Sequence, residues 1–78
     1  SYIELDEKHA IIEVAVPDSW QGHSIGELDI RRKYGVNILG VKRNDKTDVT
    51  ISPETVLDSS LTLLVLGEYT VLKKCFRL

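Results

Sequence analysis

Residues 24–43, Ser-Ile-Gly-Glu-Leu-Asp-Ile-Arg-Arg-Lys-Tyr-Gly-Val-Asn-Ile-Leu-Gly-Val-Lys-Arg, constrain the fold of this chain more than any other stretch. Ser24 and Glu27 have capping-box spacing, so each side chain can satisfy a backbone N–H at a helix start. Gly35 supplies the left-handed residue that ends such a helix. Residues 36–41 are apolar enough to form a well-buried strand. On a continuous helix, at about 100° per residue, Ile25 and Leu28 share one stripe while Ile30 and Tyr34 share another. A lone small domain has one core for one stripe. The second stripe, beside Arg31 and Arg32, therefore predicts a second partner: a protein chain, a ligand, or both.

Seventy-eight residues make a single domain spanning 1–78. The composition, 42% hydrophobic and 28% charged, excludes the disordered and fibrous classes. So short a chain buries only roughly 60% of its unfolded surface, which makes outside support valuable. The lone cysteine, Cys75, excludes an intrachain disulfide, and no His/Cys cluster has zinc spacing. Oligomerisation is the favoured support. A net charge of −2 argues against nucleic acid as a partner. No apolar run reaches the roughly 18 residues a membrane span needs, so no direct membrane insertion is expected. Without a signal-peptide pattern at the start, a cytoplasmic location is expected. The chain also reads as a fragment of a longer protein, with residues 1–8 as a linker remnant.

Along the chain, residues 9–16 form a β-branched strand stopped by Pro17-Asp18. Gly22 is available for a positive φ in the connection that follows, and the helix of 24–34 comes next. A strand over 36–43 meets the polar turn Asn44-Asp45-Lys46, with residues 48–51 as its hairpin partner. Ser52-Pro53-Glu54-Thr55 reads as an N-cap with proline at the first helical position, giving a turn or two. Residues 61–66 are the most apolar segment and read as a central strand ended by Gly67. Val71, Leu72, Cys75 and Phe76 have helical spacing, predicting a helix over 69–76. The order is β-α-β-β-β-α: an α+β domain whose small, mostly antiparallel sheet carries helices on one face.

No catalytic constellation emerges, and the chain reads as no enzyme. His9 and His23 lie on separate elements, and no aspartate or glutamate pair brackets either at ligand spacing, the placement of surface or cap residues rather than ligands, so no metal is predicted. Cys75 has neither a base nor an orienting group nearby and reads as a small core hydrophobe. Glu4, Asp6, Glu7 and Glu13 read as a solvated face, and Trp20 as a packing plug.

The run 24–43, followed by Ser52-Pro53 and by Asp58-Ser59-Ser60-Leu61-Thr62-Leu63-Leu64-Val65-Leu66-Gly67, resembles the RCK C-terminal domain, also called TrkA-C. Such domains form the back half of cytoplasmic gating subunits of bacterial potassium channels and transporters. The likeness covers about residues 10–74. It is strongest in the helix, which is most similar to gating subunits of the KtrA type. A Gly-Asp pair often precedes the late strand in the family; here Asp58-Ser59-Ser60 stands instead, a departure confined to the turn.

The resemblance implies an intertwined homodimer that binds cyclic di-AMP between its protomers and so inhibits potassium uptake. On the matching positions, Ile25, Ile30 and Pro53 would line an apolar pocket for adenine, while Arg31 and Asn37 would hold the phosphates. The implied partners are a second copy of the domain, the N-terminal RCK domain of the parent chain, and a membrane potassium-transporting subunit. The chemistry is coherent. A two-fold ligand on a dimer axis meets each residue twice, and the arginine fork donates two charge-assisted hydrogen bonds to a phosphate. Two other readings stand beside this one. The domain is a ligand-free dimerisation module of a gating ring, or a divalent-cation sensor using His9 and the nearby acids.

Overall fold

The central strand of the sheet is the most apolar segment of the sequence. In the structure, a computed structural model that describes residues 2–78, five strands run in the order β1-β2-β5-β3-β4. They are β1 (Tyr2–Glu4), β2 (His9–Ala15), β3 (Asn37–Arg43), β4 (Lys46–Asp48) and β5 (Thr62–Glu68). Every pairing between them is antiparallel. β5 is flanked on both sides, with Val65 opposite Ile12 of β2 and Ile38 of β3. Its burial alternates residue by residue, as a strand with one covered face requires. The covered face carries Ala10, Ile12, Leu63, Val65 and Val41. Three short α-helices, α1 (Ile25–Leu28), α2 (Ile30–Tyr34) and α3 (Tyr69–Phe76), and a single 3-10 turn at Asp18–Trp20 complete the fold of the described residues. Ile30 of α2 and Leu72 of α3 close the core over that face. Gly67 lets α3 approach, since a Cβ there would lie 3.2 Å from Leu72 Cδ2 and Val36 Cγ1.

The α+β reading holds, with an element order of β-β-α-α-β-β-β-α. Trp20 is a plug, as expected: it is 2% exposed, 5.1 Å from the Tyr34 ring and edge-on to Phe76 at 5.5 Å. Gly22 and Gly35 both take a positive φ, at 82° and 73°. Asn44 and Asp45, at φ 51° and 61°, form a tight two-residue turn between β3 and β4.

Several boundaries differ from the sequence expectation. The hairpin partner is 46–48 rather than 48–51, because the two-residue turn sets a tighter register. Residues 52–55 form a single turn, within the turn or two expected, closed by the Thr55 amide on the Ser52 carbonyl at 3.0 Å. Gly67 lies inside β5 rather than ending it. Within the expected linker remnant, Ser1 lies outside the described residues, but Tyr2–Glu4 pair with β2 as an edge strand. Asp6 tightens that hairpin by accepting the Lys8 and His9 amides, both at 2.8 Å. The continuous helix over 24–34 is also corrected: it breaks at Asp29, which is left-handed at φ 51°, ψ 50°.

Candidate functional site

The start of α1 is saturated with hydrogen bonds. Ser24 Oγ accepts the Glu27 amide at 3.1 Å, and Glu27 Oε1 accepts the Ser24 amide at 2.8 Å, completing the capping box. Those bonds to the Ser24 amide and to His23 hold the Glu27 carboxyl below its ordinary value. The remaining first-turn donors are met from residues 53–57, which run antiparallel to the chain entering α1. Thr55 O accepts from the Ile25 amide at 2.9 Å, and Pro53 O accepts from the Gly26 amide at 2.8 Å. The Gly22 and Leu57 amides complete the pairing, at 2.8 and 2.9 Å. With its amides spent, this helix end has none left for an anion, so charge recognition nearby falls to side chains.

The break at Asp29 decides where those side chains go. Asp29 donates its amide to both Ile25 O and Gly26 O at 3.2 Å, then restarts the helix by accepting the Lys33 amide at 2.9 Å. Across the break Ile30 turns into the core, where it is 4% exposed. Tyr34, 38% exposed, packs on Trp20. The Ile30/Tyr34 stripe is therefore not a surplus surface seeking a partner. Two stripes arise only on one continuous helix, and the switch of stripe across Leu28-Asp29-Ile30 is itself the sequence mark of the break.

A cleft of about 860 Å³ opens between this broken helix and the start of β3. Ile25, Ile30, Arg31 and Asn37, four of the five residues singled out from the sequence, line it. Pro53, the fifth, is not in the lining. It lies behind, where a Cβ on Gly26 would come within 3.0 Å of both its Cβ and its carbonyl oxygen. Sequence reasoning missed Gly26, Asp29, Leu39 and Leu66, which also line the cleft. Leu39 reaches the rim because β3 shifts register between Ile38 and Gly40. Gly40 permits that shift, since a Cβ there would stand 2.8 Å from the Asp48 carbonyl oxygen.

The adjacent arginines are not equivalent. Arg32 Nε pairs with the Asp29 carboxylate three residues earlier. Arg43 likewise pairs with Asp58 at 3.3 Å, whereas Arg31 forms no ion pair among the described residues. Asn37, half-buried, holds its backbone in register with Leu66 of β5. The site thus combines an apolar floor, one uncommitted guanidinium and one amide, a combination that suits a ligand with flat apolar parts and an anionic group.

Both histidines are engaged locally. His9 Nδ1 lies 2.9 Å from Asp6, and His23 Nδ1 lies 3.2 Å from Glu27. Among the described residues, no three His, Cys, Asp or Glu side chains gather as metal ligands. Cys75 packs against the core, and burial raises its thiol pKa. Among the described residues, no helix is long and apolar enough to cross a membrane.

The chain is 35% identical over 69 residues to the Ktr system potassium uptake protein C of Bacillus subtilis (strain 168), covering 88% of this chain and 31% of that one. It thus spans about a third of the length of that curated relative. Among solved structures, it is similar to the KtrA regulator of conductance of K+ (RCK) C domain in complex with cyclic di-AMP. The TM-score is 0.79 at 30% identity, covering 88% of this chain and 81% of that one. It is also similar to the RCK_C domain dimer of S. agalactiae BusR in complex with cyclic di-AMP, with a TM-score of 0.68 at 25% identity, covering 90% and 96%. The profile of the TrkA-C domain matches residues 9–77. With that match spanning nearly the whole chain and these likenesses beside it, the chain belongs to the TrkA-C domain family.

Proposed function

We propose that this domain is the regulatory module of a bacterial potassium-transport gating subunit and binds cyclic di-AMP at the seam of a two-fold homodimer. The observation that carries this reading is the cleft in which Ile25, Ile30, Arg31 and Asn37 converge, with Arg31 left unpaired among the described residues. Cyclic di-AMP is two-fold symmetric and doubly charged. A cleft set on a dimer axis offers it two guanidiniums, two amides and two apolar floors. Ile25 faces the adenines over a floor that the core residue Ile30 closes from beneath, and Pro53 shapes the pocket from behind Gly26. The spent amides of α1 leave the phosphates to Arg31 and Asn37. The parent protein works in the cytoplasm, joined to an N-terminal RCK domain and to a membrane potassium-transporting subunit. The ligand favours whichever dimer geometry clamps it, and this shift inhibits uptake.

Isothermal titration of the purified chain with cyclic di-AMP, with cyclic di-GMP as control, tests the reading. One ligand per two chains, selective for adenine, is the expected result. A dimer seen by light scattering without heat of binding would make the domain a ligand-free dimerisation module. Heat with calcium or zinc in its place would make it a cation sensor.

A further inference from the structure

We propose that Asp29 sets the charge selectivity of the cleft: its left-handed backbone shapes the cleft, and its carboxylate occupies Arg32 so that Arg31 alone faces an anion. This rests on reading the cleft as a phosphate site. Asp29 sits at φ 51°, ψ 50°, a left-handed conformation that aspartate and asparagine tolerate better than most residues and glycine adopts most readily. Were the break the whole requirement, glycine would meet it with less strain. The carboxylate instead binds Arg32 across one turn, and both residues line the cleft beside Arg31. Asp29 thereby cancels one of two adjacent cations, leaving each protomer a single uncompensated guanidinium at the site. A two-fold pair then presents two, matched to a ligand with two negative charges rather than to a polyphosphate. Asp29 touches the ligand's surroundings rather than the ligand, and acts as a positioning and selectivity residue.

The test uses inorganic pyrophosphate as an anion probe, followed by the Nε–Hε signals of Arg31 and Arg32 in the 15N-labelled chain, with cyclic di-AMP titrated in parallel. In the native chain the Arg31 signal should move and the Arg32 signal stay. In Asp29→Asn, which keeps a residue type that tolerates the left-handed region, both should move, and pyrophosphate should bind about two- to fivefold more tightly. Asp29→Gly, which takes the break without strain, should behave the same way. Arg32→Gln, which leaves the carboxylate uncompensated, should bind about two- to fivefold more weakly. The opposite signs separate this role from simple structural support, for which all three variants would weaken binding. Joint movement of both arginines in the native chain overturns the proposal, as does no response to pyrophosphate or no gain in either Asp29 variant. If the arginines respond as stated while cyclic di-AMP gives no heat, the ligand reading fails and the role of Asp29 stands.

Discussion

Gly26 donates its amide to the Pro53 carbonyl at 2.8 Å, and the proline ring fills the space that a side chain on Gly26 would need. The two residues are the closest join between α1 and the segment over its first turn. Gly26→Ala gains about 1 kcal/mol of helix propensity but places a Cβ 3.0 Å from two Pro53 atoms, one of them backbone. Overpacking of that kind costs about 1–3 kcal/mol, so a net loss of about 1 kcal/mol is expected. For a domain of this size that lowers Tm by about 4–8 °C. Thermal unfolding by circular dichroism measures it, and a Tm equal to or above that of the native chain would show that the contact gives way freely.

Trp20 holds the other end of the core. Its indole, 2% exposed, is gripped between Tyr34 of α2 and Phe76 of α3. Truncating a buried aromatic to alanine costs about 3–5 kcal/mol, against a total stability of about 4–12 kcal/mol for a chain this long. Trp20→Ala should be largely unfolded or strongly destabilised in urea titrations followed by circular dichroism, and Trp20→Phe should recover much of the loss. A small effect of Trp20→Ala would mean that the two aromatics close over the gap.

The parts of this fold legible in the sequence are those fixed by neighbours in the chain. Ser24 and Glu27 announce the helix start because both capping bonds lie within four residues. Gly35, Gly22 and the Asn44-Asp45 turn announce themselves because a positive φ narrows the choice of residue. The illegible parts depend on distant chain. Tyr2–Glu4 carry no pattern of their own and become a strand only because β2 offers an open edge. Residues 53–57 look like a helix start locally, but the unmet amides of α1 draw them into pairing with residues 22–26. The break at Asp29 is hidden because aspartate is tolerable inside a helix, and its one sequence mark, the switch of apolar stripe around it, reads equally as a second binding surface. Four of the five expected site residues still meet in one cleft, since the segment that carries them, 25–37, is read correctly at both ends.

Acid should destabilise the domain over a definite window. Several carboxyls are held below their ordinary values: Asp6 by the Lys8 amide first, Glu13 by the hydrogen bond from Lys42, Asp48 by the Thr50 hydroxyl and Asp58 by the Ser60 hydroxyl. With folded values below the unfolded 3.8 for Asp and 4.5 for Glu, the unfolded chain takes up protons first as pH falls. Their contribution is therefore complete above about pH 5 and lost progressively below 4.5. Lys42, raised above 10.5 by Glu13, has the opposite sign: its contribution is present below that pH and lost as pH rises through the folded value. Urea midpoints at pH 7, 5, 4 and 3 should be level at first and then fall. Glu13→Gln should remove part of the fall, and a midpoint that rises between pH 5 and pH 3 would contradict the assignment.

Arg31 gives the sharpest test of the proposed site, because it is the proposed partner of the anion while the fold asks little of it. It is exposed and forms no ion pair among the described residues, so Arg31→Ala should leave Tm within about 1 °C to 2 °C of the native value. A hydrogen bond to a charged group is worth about 1.5–3 kcal/mol, so losing it should weaken cyclic di-AMP binding by roughly one to two orders of magnitude. Arg31→Lys keeps the charge but not the planar fork, and should fall between the two. Asn37→Asp, which adds a negative charge to the cleft beside Arg31, should weaken binding at least as much as Arg31→Ala. Titration calorimetry with light scattering on each variant separates the outcomes. Lost binding with an intact dimer places the anion on Arg31, whereas parallel loss of binding and dimerisation would make this arginine part of the seam instead.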